Sequence, residues 1–185
     1  DTRDVSYAPA SQPIGGPAIS ANSSRSFNLG ASTRCGTLPS DLQAYALTVT
    51  VLPSGPLGFI NVYPTGISNP ATSTLNDIEG QILAGGGIFK AGTNREISIY
   101  ASDTTHVIID ITGYFSTNGN NYHAIVPCMF VGFTGNDGYN ATGTKHWNVS
   151  NTCAGSPALG VAIASNITVY PQWGNDLGYM TLWNS

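Results

Sequence analysis

Apolar and polar side chains alternate with a period of two along much of this chain. Over residues 45–52, Leu47, Val49 and Val51 fall on one face while Ala46, Thr48 and Thr50 fall on the other, which is the pattern of a strand with one apolar face. Residues 59–63 alternate in the same way with Ile60 and Val62 inward. The intervening Pro53-Ser54-Gly55-Pro56 predicts a turn that joins the two segments as a hairpin. Further along, Ile97, Ile99 and Ala101 share one face, as do Val107, Ile109 and Ile111, with Asp103-Thr104-Thr105 as the turn between. Weaker strand signals lie at residues 25–29, 73–78 and 87–90. No segment sustains a helical period over a useful length. Short strands separated by turns every ~8–12 residues predict an all-β fold, an antiparallel β-sandwich or jelly-roll-like module.

Composition sharpens that picture. The chain has 185 residues, of which 41% are hydrophobic and only 9% charged, with 22 glycines and 11 prolines. Such a chain can bury a core in one large or two small domains, and its turn-rich makeup is not that of a disordered polymer. The net charge is −4 with only 6 Lys and Arg, which argues against nucleic acid as a partner, because phosphate neutralisation needs a basic patch. No apolar run approaches the ~18 residues of a membrane-spanning helix. The sequence opens at Asp1 without Met or a signal-like segment, as expected of a processed or trimmed product, and sparse charge with cysteines fits a secreted or extracellular, cell-surface-associated protein.

Candidate chemistry is thin, and the expectation is that the chain is not an enzyme. His106, His123 and His146 are scattered without metal-ligand spacing, and no nucleophile elbow surrounds a serine. Asp103 and Asp110 flank His106, but Asp103 falls in a turn, and Asp110 and His106 share what reads as a solvated strand face. Gly135-Asn136-Asp137-Gly138 has one carboxylate, too few for a calcium cage, and reads as a tight turn. Gly85-Gly86-Gly87 does not open a helix, so a phosphate loop is not expected. No catalytic residue, metal or cofactor is therefore assigned. Sequons occur at Asn22, Asn140, Asn148 and Asn166, and mark possible glycosylation sites if the source modifies them.

The chain also repeats itself. Cys35 and Cys153 stand 118 residues apart, and the same offset relates Pro39 to Pro157, Ala44 to Ala162, Thr50-Val51 to Thr168-Val169 and Pro53 to Pro171. After a two-residue insertion Leu57-Gly58-Phe59 meets Leu177-Gly178-Tyr179, and upstream Arg25-Ser26-Phe27 meets Lys145-His146-Trp147. Fixed-period similarity across several residue types indicates a repeat architecture. Residues 1–115 are expected to form a first β module, 116–121 an Asn/Gly-rich linker, and 122–185 a truncated second copy of the module.

Asp1-Thr2-Arg3, Gly15-Gly16-Pro17, Cys35-Gly36 before Pro39, Gly58-Phe59-Ile60-Asn61-Val62-Tyr63-Pro64, Ser73-Thr74-Leu75-Asn76 and the closing Gly113-Tyr114-Phe115 resemble a poorly characterised β-rich repeat module of secreted bacterial proteins. Its pattern runs from a Pro-Cys strand through Asp-Thr-Arg and Cys-Gly-x-Pro to Gly-Tyr-Phe. The resemblance covers nearly all of residues 1–115 and, more loosely, 126–185; it implies a β-rich extracellular fold and supplies no catalytic residues. In the second copy Gly132-Phe133-Thr134 replaces Asp-Thr-Arg, and the first copy lacks the Pro-Cys strand. The resemblance implies a Cys128–Cys153 disulfide, whose closed loop would stabilise by roughly 3 kcal/mol in the chain-entropy account. Cys35 is left as a thiol for intermolecular pairing, as a free thiol, or as a buried inert side chain.

Two incomplete ends suggest a function. One copy lacks its first strand and the other carries such a strand, with Ile125, Val126, Pro127, Met129, Phe130 and Val131 as the candidate exchanged segment. The expectation is a secreted structural subunit whose partners are copies of itself, assembling head to tail into a filament by strand complementation. The alternatives are an extracellular carbohydrate-binding or adhesive module that contacts surface glycans, or a fragment of a longer repeat protein. For glycan binding, Trp173 is the candidate contact, since it sits in an insertion at 172–176. Tyr63 and Trp183, and Phe27 and Trp147, occupy equivalent repeat positions and so read as structural.

Overall fold

The computed structural model describes residues 1–3, 15–31 and 36–121. The chain divides into two units, Asp1–Asn120 and Asn121–Ser185, and the architecture below belongs to the first. Its strands are β1 (Ser23–Phe27), β2 (Leu42–Pro53), β3 (Gly58–Pro64), β4 (Leu75–Asp77), β5 (Leu83–Lys90), β6 (Ile97–Ala101) and β7 (Thr105–Ser116). Short 3-10 turns at Leu29–Ala31 and Thr93–Arg95 are the only helical pieces among the described residues. The strands form two antiparallel sheets, one ordered β1-β6-β3-β4 and the other β5-β2-β7, consistent with a β-sandwich.

Two-residue alternation builds the core. From β2, Tyr45, Leu47, Val49 and Val51 point inward and are essentially inaccessible. They meet Ile60 and Val62 of β3, Ile97, Ile99 and Ala101 of β6, and Val107 of β7. Burying each large aliphatic side chain stabilises by roughly 1.5–3 kcal/mol, so this shared face outweighs any single turn. The Tyr45 hydroxyl reaches the end of the core and donates to the Arg95 carbonyl at 2.8 Å.

The expected β2–β3 hairpin does not form. Near its end β2 is already flanked on both edges, Val51 by Leu83 of β5 and Pro53 by Thr105 of β7, so no edge remains for β3. The Pro53–Pro56 segment instead carries the chain across to the other sheet, where Leu57 N–H donates to the Asp77 carbonyl. Gly58, at φ +72°, then starts β3 beside β4. The turn after β6 crosses between sheets in the same sense, since β6 pairs with β1 and β3 while β7 pairs with β2.

The two faces of the four-stranded sheet differ. Its outer side is bound together by hydroxyls and amides: Ser98 Oγ lies 3.0 Å from Ser26 Oγ and 2.8 Å from Thr65 Oγ1, and the buried Asn61 side chain meets Asn69 and Thr72. Because every polar atom named here has a partner, this layer closes without an apolar cover.

Candidate functional site

The sandwich has two long sides where its sheets must be sealed. On one, β4 lies against β5 and Leu75 fills the space over Gly85, where an added methyl would stand only 3.3 Å from Leu75 Cδ1. The junction is tied by Asp77, 3% exposed, whose Oδ1 accepts from the N–H groups of Glu79, Gly80 and Gln81 at 2.9–3.2 Å. Its Oδ2 is buried with no partner among the described residues.

On the other side the seal made by described residues is partial. At the start of β7, Thr105 exchanges both backbone hydrogen bonds with Ile19, at 2.9 and 3.0 Å. Two residues on, Thr2 N–H donates to the Val107 carbonyl at 3.0 Å and Val107 N–H donates to Thr2 Oγ1 at 2.8 Å. His106 Nδ1–H donates to the Thr2 carbonyl at 2.7 Å, which holds the segment Asp1-Thr2-Arg3 against the strand. His106 is thus half-buried and engaged, not solvated as its strand face suggested; Asp103 and Asp110 stay exposed. No hydrogen bond or ion pair joins His106 to Asp103 or Asp110.

Beyond Val107, no described residue pairs with the outer edge of β7. In an antiparallel strand backbone groups alternate between the two edges. Thr105 and Val107 direct theirs outward, so Ile109 and Ile111 also present N–H and C=O groups on that edge, without a partner among the described residues, while Ile108 and Asp110 face Thr50 and Thr48 of β2. A β-bulge at Thr112, whose hydroxyl donates to the Ala46 carbonyl at 3.1 Å, then brings Tyr114 opposite Tyr45 on the inner face. Cover fades along this inward row. Val107 is wholly buried, Ile109 and Ile111 are only partly buried against the core, and Tyr114 is 50% exposed.

The exit of β7 is anchored on its opposite flank. Thr117 Oγ1 donates to Asp41 Oδ2 at 2.6 Å, and Asn118 donates to the same oxygen from its backbone N–H and its Nδ2. Asp41 precedes β2, so the expected linker begins as a turn tied toward β2. The Thr117 hydroxyl, above all, holds the Asp41 carboxyl below its usual pKa.

The other sequence candidates are placed as follows. Tyr63 and Phe27 are buried, and the Tyr63 hydroxyl donates to Ser24 Oγ at 2.8 Å, so neither contributes to an exposed aromatic platform. Asn22 lies exposed in the turn before β1 and accepts from the Tyr100 hydroxyl at 3.1 Å. Gly85-Gly86-Gly87 is strand, within β5. Cys35, Cys128, Cys153, the segment Ile125–Val131, Trp173, Asn140, Asn148 and Asn166 lie outside the described residues. Among the described residues no three His, Cys, Asp or Glu side chains gather as metal ligands, and no helix is long and apolar enough to cross a membrane. A shallow hollow of about 340 Å³ bordered by Thr65, Ile67, Lys90 and Thr93 brings together no reactive constellation. The β7 edge was not singled out from sequence; the signal that could have found it is the run of residues 105–112, β-branched except at His106 and Asp110 and free of Lys, Arg and Pro. No protein-family model, curated protein or solved structure matches this chain.

Proposed function

We propose that this chain is a secreted structural subunit that joins copies of itself head to tail into an extracellular filament by strand complementation. The observation that carries the reading is the outer edge of β7 past Val107, where backbone donors and acceptors and a half-covered apolar row are left without a described partner. Such an edge templates the addition of another strand: main-chain hydrogen bonds supply affinity and alternate side-chain sites supply selectivity. A strand donated from one end of a subunit to an edge elsewhere on the next is a heterologous contact, and repetition of a non-closing contact extends a filament. The resemblance to repeat modules of secreted bacterial proteins, and the internal repeat, support the same reading.

The test is electron microscopy of native, unheated material beside sedimentation velocity over a wide concentration range. Fibres of uniform width with a regular axial repeat are the expected result. A monodisperse monomer at high concentration sinks the proposal.

A further inference from the structure

We infer that the β7 edge is an acceptor slot of defined length and direction, and that its occupant is the segment at residues 123–133 of a second copy of this chain, bound antiparallel. The inference rests on the assembly reading above. One end of the slot is plugged by Ile19 and Thr2, whose hydrogen bonds consume the outward groups of Thr105 and Val107. The slot therefore starts at Ile109 and runs to the end of β7 at Ser116. Eight residues at ~3.4 Å each give it a length of about 27 Å. The groups without a described partner belong to Ile109 and Ile111, and exposure along the inward row rises from Ile109 to Tyr114.

Three observations select the occupant. First, the slot is apolar on its inward side, and Asp110, the only charged residue between Val107 and Ser116, sits on the outer face and is exposed. Residues 124–134 are likewise uncharged and mainly apolar, with Ile125, Val126, Met129, Phe130 and Val131 among them. Second, that stretch is long enough to fill eight positions. Third, Thr117 and Asn118 are held by Asp41 on the β2 flank of β7, so these two residues turn to the flank opposite the slot. Antiparallel binding continues the sense of the Ile19–Thr105 bridge.

Hydrogen exchange of the full chain, read amide by amide across concentration, tests this directly. Ile109 and Ile111 amides are expected to gain at least tenfold protection as assembly proceeds, while Ile108 and Asp110, already bonded to β2, change little. A synthetic peptide of residues 123–133 with Cys128→Ser is expected to shorten the assemblies and to protect the same two amides. In a series of N-methylated peptides, activity is expected to fall at every second position, because only alternate N–H groups face β7. Loss at every position alike, or at none, overturns the strand pairing. Polymers that form while the peptide neither competes nor protects Ile109 and Ile111 overturn this donor and acceptor but leave the assembly reading standing. A monomer whose Ile109 and Ile111 amides are protected at every concentration shows the slot filled within one chain, and both readings fall.

Discussion

The three-stranded sheet has two edges, β5 and β7, and they are managed in opposite ways. Each has β2 as its only neighbouring strand in the sheet among the described residues. On β5 the inward positions are Leu83, Gly85, Gly87 and Phe89, and the two glycine gaps are filled by neighbouring side chains. Leu75 of β4 sits over Gly85, and the Phe89 ring folds back so closely that a methyl on Gly87 would meet its Cζ at 3.0 Å. Lys90 ends the strand with a charge. Glycine-rich and capped edges are poor templates for another chain. β7 carries large β-branched residues on its inward row, has no glycine until Gly113, and among the described residues is sealed only at its start, by Ile19 and Thr2. The difference teaches that exposure of an edge is less informative than what fills its inward row.

The largest expected effect that breaks or upholds this contrast is on assembly. Tyr114→Lys places a charge in the inward row of β7, and burying it under a partner strand is costly, so the concentration needed for assembly is expected to rise about 100-fold. Ile88→Lys, on exposed β5, is expected to leave that concentration within about twofold. Equal responses in sedimentation would show that the two edges do not differ. Next comes the sealed side. Asp77→Ala removes the acceptor for three N–H groups in a buried turn and is expected to cost about 3 kcal/mol in urea unfolding, with the β4–β5 amides exchanging faster. Thr2→Ala leaves Val107 N–H without its hydroxyl acceptor, an expected loss of about 1–2 kcal/mol by the same measurement. It is also expected to lengthen the unprotected part of β7 toward Thr105.

The smallest effect is a pH dependence at the exit of β7. Asp41 is held below its usual pKa in the folded chain, so its contribution is present above the unfolded carboxyl value of about 3.9 and is lost as pH falls below that toward the folded value. Asn118 amide exchange is expected to accelerate on acidification through that range, and Asp41→Asn is expected to remove the dependence. An unchanged Asn118 profile would show that the anchor does not rest on the carboxylate.

Much of the fold was legible because period-two patterning reports which side chains share a face. Leu47, Val49 and Val51, and Ile97, Ile99 and Ala101, each expected to share a strand face, do so and are buried, while of Val107, Ile109 and Ile111 only Val107 is fully covered. Patterning does not report which sheet a strand joins. The Pro53–Pro56 turn has the residues of a hairpin, yet it bridges layers because β5 and β7 occupy both flanks of β2, and those are contacts between residues ~30 and more than 50 positions apart in sequence. The candidate edge was hidden for a related reason. In sequence Ile109 and Ile111 only share a face with Val107, and the three-dimensional positions of Ile19 and Thr2 reveal where the described cover stops. His106 illustrates the same limit, since its partner is 104 residues away.

The bulge at Thr112 has a further consequence, for fidelity. On a straight edge a bound strand that slides by two residues recovers its hydrogen-bond pattern and keeps every side chain on its face, so its position is weakly fixed. Here the inward row steps by two from Ile109 to Ile111 and then by three to Tyr114, which removes that translational symmetry. One placement satisfies both halves of the row and its slipped neighbours do not. The irregularity would work as a notch works on a ratchet: deleting Thr112 should turn a single axial spacing into a mixture differing by about 7 Å, the length of two strand residues.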